Sequence, residues 1–250
     1  IGKLIKKIDK KYKVLVINDG STDNTKTVAK KAGAKVLTSK KNLGVDHSIN
    51  LGFKYAYLNK FKNVITIDAD GQHSIKDLRK IIRIIETDSS INLVISLRNK
   101  FPRFSERIFS KYVNYKFNVP DLLSGMKGYK VSLFKKYGAY DTFKSIGTEL
   151  SFFALLNSYK YKVVNIEVLE RKDKARLGGI FKGNLRILRA LMILIYRNTT
   201  NRFHKWKYFR IDHSEINKLQ SSFWYEVIKT KSRIYRIYEW ILPWFRVSFD

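Results

Sequence analysis

The chain has 250 residues, with 50 Lys+Arg against 21 Asp+Glu, hence a formal net charge of +29. It has no cysteine, which excludes disulfides, cysteine–zinc sites and thiol catalysis. Hydrophobic residues make up 44% and aromatics 14%, enough for a sizeable core and against global disorder, and so basic a chain is drawn to polyanions: nucleic acid, an anionic membrane surface or phosphorylated substrates.

In chain order, Lys3–Lys11 reads as the end of an amphipathic helix and Lys13–Ile17 as a short buried strand. Asn18–Thr25 is turn chemistry, with Ser21 or Thr22 positioned to cap a helix over Thr25–Ala32. A strand at Val36–Leu37 leads into a loop at Asn42–Gly44, and Ser48–Leu58 reads as a helix. Asn63–Ile67 is a strand. Ile75, Leu78, Ile82 and Ile85 fall in step for a helix over Ile75–Glu86, and Ile91–Ser96 is a strand again. This alternation implies an α/β domain with a mostly parallel sheet flanked by helices, whose ligands sit at the C-terminal ends of the strands. The longest charge-free run is Leu150–Tyr159, too short to span a bilayer, and Ile1–Lys13 has no signal-peptide pattern.

Two carboxylate clusters lie at those strand ends. In "DADGQH", Asp68 and Asp70 are two residues apart in an extended segment and aim the same way, with Gln72 again in phase. Like charges held together need a neutralising partner, and a hard divalent cation, Mg²⁺ or Mn²⁺, bound by few carboxylates and by substrate phosphates supplies one. His73 is a further ligand for Mn²⁺ in this reading. The structural alternative is a loop whose aspartates cap the next helix. In "NDGSTDNT", the Gly20–Ser21 turn offers close backbone approach, and Asp19 could accept hydrogen bonds from a base N–H or ribose hydroxyls. A capped surface turn explains the same residues.

Four segments, "VLVINDGSTDNT", "NLGVDHSINLGFKYA", "VITIDADGQH" and "DLLSGMKGYKVSLFKKYG", resemble in order and spacing the family 2 glycosyltransferases of the GT-A fold, and are most similar to the polyprenyl-phosphate type exemplified by dolichol-phosphate mannose synthases. The resemblance spans about Ile1 to Leu191. It implies a nucleotide-diphospho-sugar transferase fold and inverting, metal-dependent transfer of a sugar from a UDP- or GDP-linked donor to a polyprenyl phosphate. It also implies a peripheral location on the cytoplasmic face of the membrane.

By position, the resemblance implies that Asp19, Gly20 and Ser21, with Asn42 and Gly44 of the following loop, meet the nucleotide. Asp68, Asp70 and Gln72 match its metal motif, and Arg98 an arginine that meets phosphate. Asp121 and the Ser124–Gly125 turn match the acceptor-side loop, Glu149 the acidic residue at a helix start, and Arg171 and Arg176 the basic residues that hold phosphates. Several positions depart from the pattern. Asn18 stands where aspartate is frequent, Asp46 and His47 where small residues are usual, and Ala175 where serine is common. Family members also begin with a strand ahead of the "IGKLIKKI" helix, so the resemblance implies a central strand that this sequence does not contain.

A phosphate acceptor is ionised at neutral pH and needs no strong base, whereas a hydroxyl acceptor needs one. Glu149 is the first candidate for that base and Asp121 the second; a helix-start carboxylate complementing the dipole is the plain alternative for Glu149. Residues 1–179 form the catalytic domain in this reading. Residues 180–250 form a basic, aromatic helical appendage, with Ile180–Arg197 amphipathic and Trp224, Trp240 and Trp244 interleaved with Lys and Arg, a pattern that suits an anionic membrane surface. Two other functions remain in view. One is a family 2 enzyme with a glycan or lipid-linked hydroxyl acceptor. The other is a non-catalytic nucleic-acid binder, for which no nucleic-acid module is found.

Overall fold

The computed structural model describes residues 1–39, 41–169 and 180–200. The elements run α1 (Gly2–Lys7), β1 (Leu15–Asp19), α2 (Thr25–Lys31), β2 (Lys35–Ser39), α3 (Val45–Leu58), β3 (Asn63–Thr66), α4 (Ile75–Thr87), β4 (Leu93–Arg98), α5 (Phe104–Phe117), β5 (Lys127–Lys130), α6 (Val131–Tyr137), α7 (Glu149–Leu156), β6 (Tyr161–Ile166) and α8 (Ile180–Thr199).

Every strand and helix expected before Ser96 is present, with shifts at the ends. The first helix stops at Lys7, and the third starts at Val45 rather than Ser48. Neither Ser21 nor Thr22 caps α2. The cap position is Asn24, and the side chain that meets the first turn is Asp23, whose Oδ1 accepts from the Thr25 amide at 3.0 Å. The clearest local code is that of α4. Ser74 Oγ accepts from the Asp77 amide at 3.0 Å and donates to Asp77 Oδ2 at 2.8 Å, a reciprocal N-terminal cap. Leu78, Ile81, Ile82 and Ile85 then bury one stripe against Val94, Met126, Val164 and Ile166. Each such side chain contributes about 1.5–3 kcal/mol by leaving water.

The sheet is mixed rather than mostly parallel. β1 and β2 pair in parallel, Leu15 opposite Lys35. β3, β5, β4 and β6 form a second sheet in that order, in which β4 and β6 are parallel but β5 runs antiparallel to both its neighbours. The antiparallel strand is "KGYK", which has none of the apolar alternation that marks a strand. Its Gly128 lets α4 close in: a Cβ there would lie 2.9 Å from Ile81 Cγ2. Helix α7 gives no amphipathic signal either, because Glu149 through Leu155 are all buried. Among the described residues no strand joins β1 to β3, although α3 packs against both. β1 and β3 are largely half-buried, whereas Leu93–Ser96 of β4 is buried throughout.

The antiparallel direction of β5 has one consequence for the site. Its first residue, Lys127, pairs with Thr66 at the end of β3 and with Ile95 of β4, so the loop before β5 arrives at the strand ends that carry the acids. The chain divides into two units, Ile1–Phe209 and Arg210–Asp250. α8 therefore belongs with the first unit, where the sequence reading starts the appendage at 180. Arg171, Arg176, Trp224, Trp240 and Trp244 lie outside the described residues.

Candidate active site

Beyond β3 the chain enters the carboxylate loop. The helix that follows is capped by Ser74, so neither Asp68 nor Asp70 serves as its cap. Asp68 is half exposed, and its Oδ2 lies 3.7 Å from Nε2 of the buried His73. Asp70 Oδ1 accepts from the Gln72 amide at 3.1 Å, closing the turn. The loop is pinned from the far side. Gln72 O accepts from the Leu169 amide at 3.0 Å, Gln72 Nε2 reaches Leu169 O at 3.4 Å, and His73 bridges Val168. Leu169 is thus fixed beside Gln72.

Above Asp68 lies the Ser124–Gly125 turn. Thr66 of β3 donates to Gly125 O at 2.8 Å, and Ser96 of β4 hydrogen-bonds Ser124 Oγ and Met126 O, each at 2.5 Å. The fit is tight: a Cβ on residue 125 would stand 2.2 Å from Asp68 Oδ2. Glycine is needed here for space.

Arg98 closes β4 and is committed to carboxylates. Its Nε and Nη2 reach Asp121 at 2.7 and 3.2 Å, and Nη1 stands 3.5 Å from Glu106. Burial works to lower its pKa, but Asp121, Glu106 and Asp68 leave it raised, so the charge is permanent. Asp121, 1% exposed, also accepts from the Leu123 amide at 2.9 Å. The sequence reading assigns Arg98 to phosphate and Asp121 to base work; the structure joins them in one bidentate pair.

Nothing in the sequence distinguishes Lys127 from the other basic residues. It is buried beneath this cluster, and Nζ donates to Gly147 O at 3.0 Å. Burial pulls its pKa down to about 8, against the attraction of Asp121, Asp141 and Asp68. Gly147 belongs to a loop wound around Asp141, which accepts from Ser145 Oγ at 2.6 Å and from the Gly147 amide at 2.8 Å. Asn50 of α3 ties this loop back, donating to Asp141 O at 2.5 Å and accepting from the Tyr140 amide at 2.7 Å. Burial, then Asp141, pushes the neighbouring Asp46 carboxyl up to about 7.

Glu149 follows that loop at the start of α7 and is fully buried. It accepts from the Tyr137 hydroxyl, from the Thr142 amide at 2.5 Å and from Thr142 Oγ1 at 2.8 Å. Burial, then Asp141, pushes its pKa up to about 8. It is mostly protonated at neutral pH and turned away from solvent.

The remaining expected residues form one unit at the end of β1. Asp19 accepts from the Leu43 amide at 2.8 Å and the Gly44 amide at 2.7 Å. Asn42 Oδ1 accepts from the Gly44 amide at 3.1 Å, and Asn18 Oδ1 from the Ser21 amide at 3.2 Å. Gly20 has φ +71°, and a Cβ on it would lie 2.7 Å from the Asn42 amide nitrogen. Asp19, Gly20, Ser21, Asn42 and Gly44 lie together at the end of β1, with both Asp19 oxygens engaged by loop amides and Asp19 as the organiser of the loop.

Among the described residues no three His, Asp or Glu side chains form a metal cluster. Two carboxylates on an open loop fit a cation that takes its other ligands from substrate phosphates and water.

The family model for Glycosyl transferase family 2 matches residues 1–138. An uncharacterized protein of Methanocaldococcus jannaschii is 42% identical over 85 residues, 33% of this chain and 35% of the relative. The UDP-N-acetylglucosamine–dolichyl-phosphate N-acetylglucosaminyltransferase of Methanococcus voltae is 32% identical over 107 residues, 36% of this chain and 42% of the relative. These matches span less than half the relatives' own lengths. Among solved structures, glucosyl-3-phosphoglycerate synthase from Mycobacterium tuberculosis with Mg²⁺ and UDP superposes with a TM-score of 0.63 at 18% identity, covering 78% of this chain and 74% of that one. Its complex with Mn²⁺, UDP and glucosyl-3-phosphoglycerate gives 0.62 at 17%, over 78% and 74% of the two chains. These likenesses establish the GT-A fold. Because the family model covers residues 1–138, more than half of the 250, this chain belongs to glycosyl transferase family 2.

Proposed function

We propose that this glycosyltransferase moves a sugar from a nucleotide-diphosphate donor to a polyprenyl phosphate at the cytoplasmic face of a membrane, with inversion at the anomeric carbon. One observation carries the choice of acceptor: both candidate bases are engaged. Glu149 is buried with three donors on it and its pKa raised to about 8, and Asp121 is held by Arg98. A hydroxyl acceptor would need a free carboxylate at the reacting centre. A phosphate monoester brings its own nucleophilic oxygen. That oxygen attacks the anomeric carbon, and the bond from that carbon to the diphosphate breaks as the nucleotide leaves.

Asp68 and Asp70 would hold Mg²⁺ or Mn²⁺, which would neutralise charge on the departing diphosphate. The solved neighbours carry these ions with UDP, and the Methanococcus voltae relative is named for a dolichyl-phosphate acceptor. The Asp19 loop would receive the nucleoside, with Gly20 and Gly44 giving close backbone approach. Arg98 fixes Asp121 and keeps a positive charge facing Asp68. Arg171 and Arg176 are assigned to the acceptor phosphate, since arginine matches phosphate in a bidentate way. A family 2 enzyme with a glycan or lipid-linked hydroxyl acceptor is the second reading, and it would require Glu149 to open.

The test is to titrate UDP, GDP and their sugars into the chain with and without Mn²⁺, then to assay transfer to a short polyprenyl phosphate and to the matching polyprenol. Metal-dependent binding of one nucleotide and transfer to the phosphate alone support the reading. Transfer to the alcohol alone would overturn it.

A further inference from the structure

A lysine is almost never fully buried unless a carboxylate pairs with it, because loss of water penalises its charge. Lys127 is 1% exposed, and among the described residues no carboxylate forms an ion pair with it. Asp121 faces it but is held by Arg98, and Asp141 faces it but is held by its own loop. Among the described residues Nζ makes a single hydrogen bond, to Gly147 O at 3.0 Å, which leaves ammonium donors unused. That oxygen also accepts from the Tyr140 hydroxyl at 3.1 Å. Lys127 is therefore a poor choice for stability alone, and local departures of this kind mark functional positions.

The bond joins two parts of the site. On one side the Lys127 backbone is fastened to the end of β3. Its amide donates to Thr66 Oγ1 at 3.2 Å, and the same hydroxyl donates to Gly125 O at 2.8 Å, beside Asp68. On the other side Gly147 ends the loop wound on Asp141, whose carboxylate also accepts from the Ser145 amide at 3.0 Å and so keeps the loop stiff. The far end of that loop is held by Asn50 of α3, through Asp141 O at 2.5 Å and the Tyr140 amide at 2.7 Å. α3 starts at Val45, next to Gly44, whose amide is held by Asp19. A continuous path thus runs from the turn beside Asp68, through Lys127, Gly147 and Asn50, to the Asp19 turn.

We propose that Lys127 is a positioning residue for sugar transfer: it fastens the 140–147 loop to the turn beside Asp68 and so fixes how far the Asp19 turn stands from the cation carboxylates. The inference rests on the transfer reading above and adds to it the part that aligns the two ends of the donor. In that reading the nucleoside is held at Asp19 and the diphosphate at Asp68 and Asp70, so the distance between them must match one donor molecule. Binding tolerates a small error in that distance better than transfer does, since a shift of about 1 Å at the reacting atoms can cost about a hundredfold in rate. Lys127 acts through the loop and not on the reacting atoms.

The test compares wild type with Lys127→Met, which keeps the length of the side chain and removes its charge and its donors. Urea midpoints are expected to stay equal or to rise, because Tyr140 still serves Gly147 O and a buried charge is gone. Amide hydrogen exchange is expected to quicken in residues 140–147 and 45–50 and to stay unchanged in β4. The Mn²⁺-dependent dissociation constant of the nucleotide should hold, while kcat falls about tenfold or more. Asn50→Ala, which opens the same path from α3, should reproduce the exchange and kcat changes, and the double variant should lose no more than the larger single. A Lys127→Met protein that loses stability with kcat unchanged overturns the proposal, because Lys127 would then only serve the core. So does unchanged exchange in 140–147. If Lys127→Met does not fold, full kcat in Asn50→Ala overturns it. Exchange is read without turnover: a wild type that transfers no sugar fails the transfer reading, whereas the loop's exchange decides the role of Lys127 on its own.

Discussion

Arg98 and Asp121 meet through two parallel hydrogen bonds, Nε to Oδ2 at 2.7 Å and Nη2 to Oδ1 at 3.2 Å, across the ends of β4 and the loop before β5. Both side chains are largely out of water, at 18% and 1% exposure. Removing one partner leaves the other charge buried and uncompensated. Asp121→Ala is expected to cost about 3 kcal/mol, the lower end for a broken buried pair because Glu106 still faces the guanidinium. Urea unfolding measures it. The double variant Arg98→Met/Asp121→Leu should cost less than the sum of the singles; strict additivity would mean that the pair is not coupled.

Two glycines give opposite outcomes on substitution by alanine. At Gly125 the new methyl would stand 2.2 Å from Asp68 Oδ2, at the end of a side chain that can turn. The expectation is a small change in melting temperature but a loss of metal-dependent nucleotide binding of about tenfold or more, as seen when support around metal ligands is lost. Gly52, inside α3, has only Ile17 Cγ1 within reach, at an ordinary 3.9 Å. Gly52→Ala should raise stability by about 0.5–1 kcal/mol through helix propensity alone and leave binding unchanged.

Ser74, not Asp68 or Asp70, caps α4, so removing a charge from the carboxylate loop should spare that helix. Asp70→Ala deletes the turn bond to the Gln72 amide, worth roughly 1 kcal/mol. Its larger effect should be on UDP or GDP titrated with Mn²⁺, with nucleotide affinity falling to the level seen without metal. Calorimetry on wild type and variant decides this. Equal metal-dependent binding by the variant would place the cation elsewhere.

The sequence makes the acidic ends of β1 and β3 legible because apolar strands stop abruptly in turn residues there. It makes α4 legible because Ile75, Leu78, Ile82 and Ile85 fall in step along one apolar stripe. β5 escapes because "KGYK" is held by its neighbours, with lysine and glycine where a strand pattern needs apolar residues. α7 escapes the periodicity reading because burial on all sides removes the period that identifies a helix, and only the resemblance marks a helix start at Glu149. Asp68 and Asp70 could be singled out by spacing. The pairing of Arg98 with Asp121 could not, since it joins residues 23 apart whose nearness depends on β5 reversing direction. Lys127 was likewise hidden by its setting: it differs from other lysines only through the loop wrapped over it.

Glu149 supplies the last expectation, through its pKa. The carboxyl is raised from an ordinary 4.5 to about 8. Between those values the folded chain keeps a proton that the unfolded chain has released. Stability therefore falls as pH rises through that window and levels off above it, at up to about 1.4 kcal/mol per pH unit. Asp46, raised from 3.8 to about 7, adds a slope of the same sign at lower pH. Urea midpoints are expected to drop from pH 5 to pH 8 in the wild type and to drop less in Glu149→Gln, where the proton is built in. Turnover separates structure from chemistry. If Glu149 only holds Tyr137 and Thr142 at the start of α7, Glu149→Gln should keep transfer at pH 7 within about threefold. A base at the reacting centre would be worth on the order of 10²–10⁴ in rate. A loss of that size in a folded Glu149→Gln protein would move the acceptor from a phosphate to a hydroxyl and require the buried carboxyl to open during the reaction.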